Sequence, residues 1–369
     1  LFDLAQEDTD VISLGVGEPD FVPPPHVLEA AGKAMDEGRT HYAPSAGVPE
    51  LREGLVKKAR QDYGLSYDLH SEVLVTVGGT EAIFLALAAL VSPGDEVLVP
   101  DPGFVCYQPS VLLVDGVPVS MPLLEENKFR LNADVVMSLV TDKSRVMILN
   151  SPNNPTGSVL SYNDIAGLAK LAVERDLVVI SDEVYEKILY DNVKHYCLAT
   201  FPGMRDRTIV VNSFSKTYAM TGFRVGYALG PRELIGPMLK AHQFITACAN
   251  APAQYAAVAA LEGPQSFTED MVKEFDRRRR LLHSRLNEIE GFRCSLPKGA
   301  FYAFPNVKQF GLSSEKFADY LFDKGRVVTV GGSSFGECGE GYLRLSYATA
   351  YNKLEEALDR IEKTVKTLS

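Results

Sequence analysis

Between residues 71 and 230 the chain alternates short apolar runs with longer helical patterns. The apolar runs include SEVLVTV, DEVLVP, SRVMILN, LVVIS, TIVVN and FRVGYALG, and patterns such as EAIFLALAALV and DIAGLAKLAVERD separate them. Strands that alternate with helices of this length form βαβ units. The pattern therefore predicts an α/β domain with a mostly parallel central sheet flanked by helices.

Beyond about residue 262 the pattern changes. A long amphipathic helix from Phe267 to Ile289 precedes four short strand patterns, RCSLP, AFYAFP, RVVTV and YLRLSYA, and a closing helix begins near Lys353. Because 369 residues exceed what one hydrophobic core usually supports, two domains are expected. We predict a large α/β domain over residues 39–262 and a smaller, discontinuous α+β domain formed by residues 1–38 with 263–369.

Composition narrows the possible partners. The 37 basic and 48 acidic residues give a net charge of −11, which repels nucleic acid and anionic membranes. The basic run from Arg277 to Arg280 lies among acidic residues, which is typical of a solvated helix face. Five cysteines without CxxC spacing fit neither a disulfide framework nor a zinc site. We expect a cytoplasmic protein that binds no nucleic acid, membrane or metal.

Polar motifs follow the predicted strands. GGTEA contains Gly79 and Thr80, DPGF contains Phe104, SPNNPTG contains Asn154, and Asp182 and Lys216 follow two further strands. The carboxyl ends of parallel strands meet at one edge of a sheet, where ligands of open α/β proteins bind. We therefore expect these side chains to surround one small ligand.

Each motif alone has a simpler interpretation. GGT can be a tight turn, SPNNPTG a proline-rich turn, Asp182 a helix N-cap and Lys216 a surface lysine. The sequence contains neither GxxxxGK[ST] nor GxGxxG after a strand. Taken together, however, the motifs match the parts of pyridoxal 5'-phosphate. They supply a helix start for its phosphate, an aromatic residue for its ring, a carboxylate for its ring nitrogen and a lysine for its aldehyde. Asp182 would then face the protonated ring nitrogen of the cofactor.

Several motifs together resemble the class I and II aminotransferases of pyridoxal-phosphate fold type I. They are SPNNPTG, SDEVY, SFSKTYAMTGFRVGY, GGTEA and RLSYA, and the stretches ISLGVGEPDF and HYAPSAGVPELREGL are similar to the prokaryotic aspartate and aromatic branch. The resemblance implies transfer of the amino group of an L-amino acid to 2-oxoglutarate in a ping-pong cycle. The donor is aspartate, an aromatic amino acid or a broad range.

The same resemblance implies roles for particular residues. Lys216 would condense with the cofactor aldehyde and move the substrate proton, with Asp182 and Tyr185 as the other catalytic residues. The expected cofactor contacts are Gly79, Thr80, Phe104, Asn154, Asp182, Tyr185, Ser213, Lys216 and Arg224, with Tyr42 from a second subunit of a homodimer. The expected substrate contacts are Gly17, Phe104, Asn154 and Arg344.

The sequence around Arg344 also supports an anion-binding role independently of the family resemblance. An arginine inside the strand pattern YLRLSYA is costly unless it meets an anion, and its planar guanidinium fits a carboxylate. The alternative is a structural ion pair with Asp or Glu.

Two departures from the family pattern leave the donor open. The chain has no Trp, so Phe104 would stack on the cofactor, and Thr80 stands where some aspartate-specific relatives carry Lys. The principal alternative function is a fold type I C–S β-lyase, which uses the same cofactor. Two more distant functions also fit parts of the pattern: a regulatory pyridoxal-phosphate sensor, and a nucleotide-binding α/β protein in which Lys216 binds phosphate.

Overall fold

The computed structural model describes residues 10–368. Its strands are β1 (Ile12–Ser13), β2 (Val73–Thr76), β3 (Glu96–Asp101), β4 (Val117–Pro122), β5 (Ser144–Asn150), β6 (Val178–Asp182), β7 (Thr208–Ser213), β8 (Gly226–Leu229), β9 (Tyr302–Ala303), β10 (Val327–Val328), β11 (Val330–Gly331) and β12 (Leu343–Ser346). A seven-stranded sheet of order β2-β8-β7-β6-β5-β3-β4 forms the centre. Only β8 within this sheet runs antiparallel to its neighbours, so the predicted, mostly parallel α/β sheet is confirmed.

Helices cover both faces of this sheet. They are α1 (Pro25–Asp36), α2 (Pro49–Tyr63), α3 (Gly78–Leu90), α4 (Tyr107–Leu113), α5 (Ala133–Leu139), α6 (Tyr162–Glu174), α7 (Phe214–Thr217), α8 (Arg232–Ile245), α9 (Ala251–Glu262), α10 (Ser266–Glu288), α11 (Ser314–Gly325) and α12 (Tyr351–Val365). Successive residues of β5 point to opposite faces, so Val146 packs with the core of α3 and Met147 with that of α6. Burial on both faces explains why these strands are continuous apolar runs.

The strand register brings the polar ends together. Asn150 of β5 is paired with Asp182 of β6, and Ser213 of β7 is paired with Gly226 of β8. Gly226 also lies against the start of α3, where an added Cβ would come within 2.4 Å of the Gly78 carbonyl carbon. A residue without a side chain is therefore required where this helix start packs on the sheet.

The remaining strands form two small sheets. β1 pairs with β10, and β11, β12 and β9 form an antiparallel sheet. Ile12 and Leu14 pack in one core with Phe275, Leu345 and Ile361, whereas Val27 of α1 packs in the core that contains α2 and α9. The predicted domain boundaries at residues 38 and 262 remain predictions.

The basic run of α10 is not simply solvated. Arg279 is fully buried, and its guanidinium pairs with Asp191 at 2.9 Å and also with Asp276. Arg280, which is exposed, shares both carboxylates. The interpretation as a solvated helix face was therefore wrong for Arg279, which joins α10 to the loop after β6. It was also wrong for Arg278, which is buried and pairs with Asp20 at 2.7 Å.

Two observations bear on the expected environment. None of the helices in residues 10–368 is both long and apolar enough to span a membrane. All five cysteines are unpaired. The cytoplasmic location stays a prediction.

Replacing Gly226 by Ala is expected to destabilise the protein by about 1–3 kcal/mol, because the new methyl group overpacks against the backbone of α3. Gly236→Ala is the matched control, since Gly236 lies within α8 with nothing near its Cβ position, and it should stabilise by roughly 0.5–1 kcal/mol. Thermal midpoints of the two variants test this. An unchanged or higher midpoint for Gly226→Ala contradicts it.

Candidate active site

A cavity of about 350 Å³ lies at the carboxyl edge of the sheet, between the strand ends and the small antiparallel sheet. Nearly every predicted site residue lines it: Gly17, Gly79, Thr80, Phe104, Asn154, Asp182, Tyr185, Ser213, Lys216, Arg224 and Arg344. Tyr42 does not line it, and its side chain is 89% exposed. The structure therefore brings together all the predicted site residues except the one assigned to a second subunit.

Asp182 ends β6 with a buried side chain. Its Oδ2 accepts a hydrogen bond from the Tyr107 hydroxyl at 2.6 Å, and its backbone carbonyl accepts one from Asn150 Nδ2 at 3.0 Å. Burial raises the pKa of Asp182 to about 6, although the Tyr107 hydrogen bond opposes this shift. Within residues 10–368 no cation lies at ion-pair distance from this carboxylate. An ionised Asp182 therefore favours a positively charged ligand atom.

Lys216 lies on the short helix α7, directly after β7. Its Nζ donates a hydrogen bond to the Gly17 carbonyl at 2.5 Å. Burial lowers the pKa of Lys216 to about 8, and the nearby Glu18 carboxylate counteracts only part of that shift. A substantial fraction of the amine is consequently neutral near pH 8, as a nucleophile or a proton acceptor must be.

The backbone at Gly17 approaches the cavity closely. A Cβ at this position would lie 2.6 Å from the Tyr302 hydroxyl. Because residue 17 is a glycine, its backbone can pack beside Tyr302 while its carbonyl accepts the hydrogen bond from Lys216.

Arg344 of β12 is buried without a carboxylate partner in the part of the chain that the structure describes. Its Nη2 donates to the Gly15 carbonyl at 2.5 Å and its Nη1 to Asn154 Oδ1 at 3.3 Å, whereas its Nε has no partner. The rings of Tyr302 and Phe335 lie 4.8 Å from the guanidinium. This arrangement leaves a cation available for an anionic ligand, and the structural ion pair considered for Arg344 is not formed within residues 10–368.

The other end of the cavity offers groups for an anion. α3 begins at Gly78 without a side-chain N-cap, so the amides of Gly79 and Thr80 lie at its positive end. The guanidinium of Arg224 lies close to Gly78, and its Nη1 donates to the Thr221 carbonyl at 2.9 Å. Together with the Ser213 side chain, these groups can hold a phosphate.

Aromatic and amide groups complete the cavity. The hydroxyl of Tyr185 is 2.9 Å from that of Tyr302, and the Phe104 ring meets the edge of Tyr107 at 5.8 Å between centroids. The backbone amide of Asn154 donates to Asn150 Oδ1 at 2.9 Å, which positions the turn after β5.

Asn150, Tyr107 and Tyr302 are among the cavity residues that were missed from the sequence. Asn150 is the last residue of β5, so the rule that selected Asp182 also applied to it. Tyr107 follows Phe104 by one helical turn and carried a weaker signal. Tyr302 comes from the small antiparallel sheet, and no local pattern placed it beside the main sheet.

Comparison with known proteins agrees with this geometry. Residues 9–361 match the family described as aminotransferase class I and II. An aspartate aminotransferase of Pyrococcus abyssi is 50% identical over 99% of this chain and 94% of its own length. An aromatic-amino-acid aminotransferase of Thermococcus litoralis is 48% identical, with the same coverage of both chains.

A solved structure extends the agreement to the fold. The aromatic aminotransferase from Pyrococcus horikoshii superposes with a TM-score of 0.95 and 48% identity, covering 100% of both chains. The resemblance inferred from the strand-end motifs is confirmed, and the chain belongs to the class I and II aminotransferase family.

Proposed function

We propose that the protein uses pyridoxal 5'-phosphate to move the amino group of an L-amino acid with an apolar or aromatic side chain to 2-oxoglutarate, in a ping-pong cycle. The observation that supports this most is that one cavity holds the buried Asp182 and the half-buried Lys216, and that neither forms an ion pair within residues 10–368. A lysine amine and a carboxylate that has no cation partner are the groups that this cofactor's aldehyde and ring nitrogen require.

The cavity residues fit the remaining parts of the cofactor. The amides at the start of α3, Ser213 and Arg224 would hold the phosphate. Asn154 and Tyr185 would bind the ring hydroxyl, and Phe104 would stack on the ring. When bound, the protonated ring withdraws electrons from the α-carbon of the amino acid, which makes its proton removable.

The chain's own groups would then position the donor and move its proton. Arg344 would bind the α-carboxylate through its guanidinium, beside the Gly17 backbone. Lys216 Nζ, held at the Gly17 carbonyl, would accept the α-proton and return it to the product side. Asp182 would remain ionised, because a positive ring nitrogen offsets the cost of its burial.

The preference for an apolar donor rests on the cavity wall. Ile83, Val105, Val184, Val330 and Phe335 contribute apolar side chains to the lining. Among residues 10–368, the cations that line the cavity apart from Lys216 are Arg224 and Arg344, which the phosphate and the α-carboxylate would occupy. No further lining cation within these residues would meet a side-chain carboxylate of the donor. The choice of 2-oxoglutarate as acceptor rests on family likeness alone.

A homodimer with shared active sites is also part of this proposal. Tyr42 is 89% exposed and Phe244 is 83% exposed, so large aromatic groups lie on the surface of the single chain. Family likeness assigns the Tyr42 hydroxyl to the phosphate of a partner subunit.

Lys216→Ala is expected to lower the transamination rate by at least about 10⁴-fold, because both the imine-forming amine and the proton acceptor are lost. Borohydride should attach the cofactor to the Lys216 peptide in the native protein and to no peptide in the variant. Lys240→Ala on α8 is the control. A cofactor attached elsewhere, or retained activity, would contradict the assignment.

Asp182→Asn tests the electrostatic role. The native carboxyl has a pKa of about 6 against an ordinary 3.8, so the native state binds more protons between these values and stability falls as pH rises through that window. The penalty persists at pH 7. The cofactor-free variant should therefore be more stable by about 1–3 kcal/mol at pH 7, with the gain vanishing below pH 4.

The same substitution should lower the turnover number of the loaded enzyme by about 10²-fold or more, since the charge that stabilises the ring nitrogen is removed. Unfolding midpoints of the cofactor-free forms and steady-state rates measure the two effects separately. A cofactor-free variant that is less stable than the wild type at pH 7 would refute this role.

Thr80→Lys tests the donor class. A cation at this position of the cavity wall should raise kcat/KM for aspartate relative to tyrosine by roughly tenfold, through one charge-assisted hydrogen bond. The native enzyme should favour tyrosine and phenylalanine and should form glutamate from 2-oxoglutarate. A native preference for aspartate would overturn the donor class, and pyruvate released from a thioether amino acid would instead indicate a C–S β-lyase.

Tyr42→Phe tests the shared site. Removing the hydroxyl should weaken cofactor retention by about tenfold, whereas Tyr162→Phe, at another exposed tyrosine, should leave it unchanged. Cofactor release after dilution measures this. Full retention in the variant, or full activity of a strictly monomeric form, would count against the dimer.

A further inference from the structure

A second cleft, of about 770 Å³, lies outside the candidate active site. Residues 156–163, which follow Asn154, form one wall, and residues 295–298, which precede β9, form another. Residues 128–130 and 193–194 also contribute. The volume is within the range of small-molecule sites, roughly 300–1,000 Å³.

The charged residues that line the cleft are all cations. Lys128, Arg130, Lys194 and Lys298 face it, and no Asp or Glu of residues 10–368 is among the lining residues. This is unusual for a chain whose net charge is −11. A local concentration of positive charge on an acidic protein indicates an anionic ligand.

Half of this charge is not neutralised by the chain. Within residues 10–368, Lys128 and Lys194 form no ion pair. Arg130 Nη1 pairs with Asp164 at 2.9 Å, but its buried Nε has no hydrogen-bond partner. Lys298 pairs with Asp191 at 2.8 Å.

The floor of the cleft is apolar. Val159, Leu160 and Pro297 are buried beneath it. The ring of Tyr162 is 56% exposed and meets Tyr196 edge-on at 5.5 Å between centroids. An inorganic ion would leave the exposed Tyr162 ring in water, whereas an aromatic body would pack against that ring and the apolar floor.

We propose that this cleft binds an aromatic organic anion, with its ring on the floor near Tyr162 and its charged group between Lys128 and Lys194. The site is separate from the cavity that contains Lys216, and the two share no lining residue.

Phenyl phosphate titrated calorimetrically into the cofactor-loaded enzyme tests the proposal. Inorganic phosphate lacks the ring and benzyl alcohol lacks the charge, so both should bind at least about tenfold more weakly. Raising the ionic strength should weaken phenyl phosphate binding, because the lysines are exposed.

A double charge reversal, Lys128→Glu with Lys194→Glu, should weaken phenyl phosphate binding by at least about tenfold. The matched control is Lys143→Glu with Lys316→Glu. It changes the net charge equally at exposed lysines that form no ion pair within residues 10–368, and it should bind within about twofold of the wild type.

The absence of saturable binding would overturn the proposal, as would equal weakening by both double variants. Binding that is lost when 2-oxoglutarate saturates the enzyme, but is unaffected by the Lys128 and Lys194 changes, would place phenyl phosphate in the active site and would also overturn it. None of these readouts requires turnover, so the result is independent of the proposed reaction.

Discussion

The site depends on one constraint: the carboxylate of Asp182 is buried, and no cation within residues 10–368 pairs with it. The neighbouring carboxylates show the contrast, because Glu183 is 2.8 Å from His195 and Glu186 is 2.5 Å from Lys58. Asp182, the last residue of β6, receives hydrogen bonds from two neutral groups, the Tyr107 hydroxyl and the Val184 amide, and has no cation partner within residues 10–368. Removing a charge from water costs several kcal/mol unless a partner meets it. Glu183 and Glu186, which do not line the cavity, therefore have basic partners, whereas Asp182, which lines it, is left for a ligand.

The sheet makes this arrangement possible. Because β5, β6 and β7 are parallel and in register, Asn150, Asp182 and Ser213 emerge at one edge while apolar side chains fix the strands from both faces. The small antiparallel sheet then brings Arg344 and Tyr302 across from a distant part of the chain. Lys216 and Arg344 consequently lie in one cavity although they are far apart in sequence.

Most of the candidate site could be predicted because its polar residues directly follow predicted strands. The hydrophobic periodicity locates these strands and therefore the edge of the sheet where a ligand binds. Gly79, Asn154, Asp182 and Lys216 are all of this kind. Contacts between distant segments were not predictable in the same way, since no local pattern pairs Tyr302 with Tyr185. Arg279 illustrates the same limit: its i−3 partner Asp276 is visible in the sequence, but the burial that Asp191 makes possible depends on tertiary packing.

In the proposed function, Asp182 keeps the ring nitrogen of bound pyridoxal phosphate protonated. Loading the enzyme with cofactor labelled with ¹⁵N in the ring and recording the nitrogen chemical shift across pH 6 to 8 measures this directly. A protonated nitrogen throughout the range in the wild type, and an unprotonated one in Asp182→Asn, is the predicted result. An unprotonated nitrogen in the wild type, or the same shift in both proteins, would contradict the account.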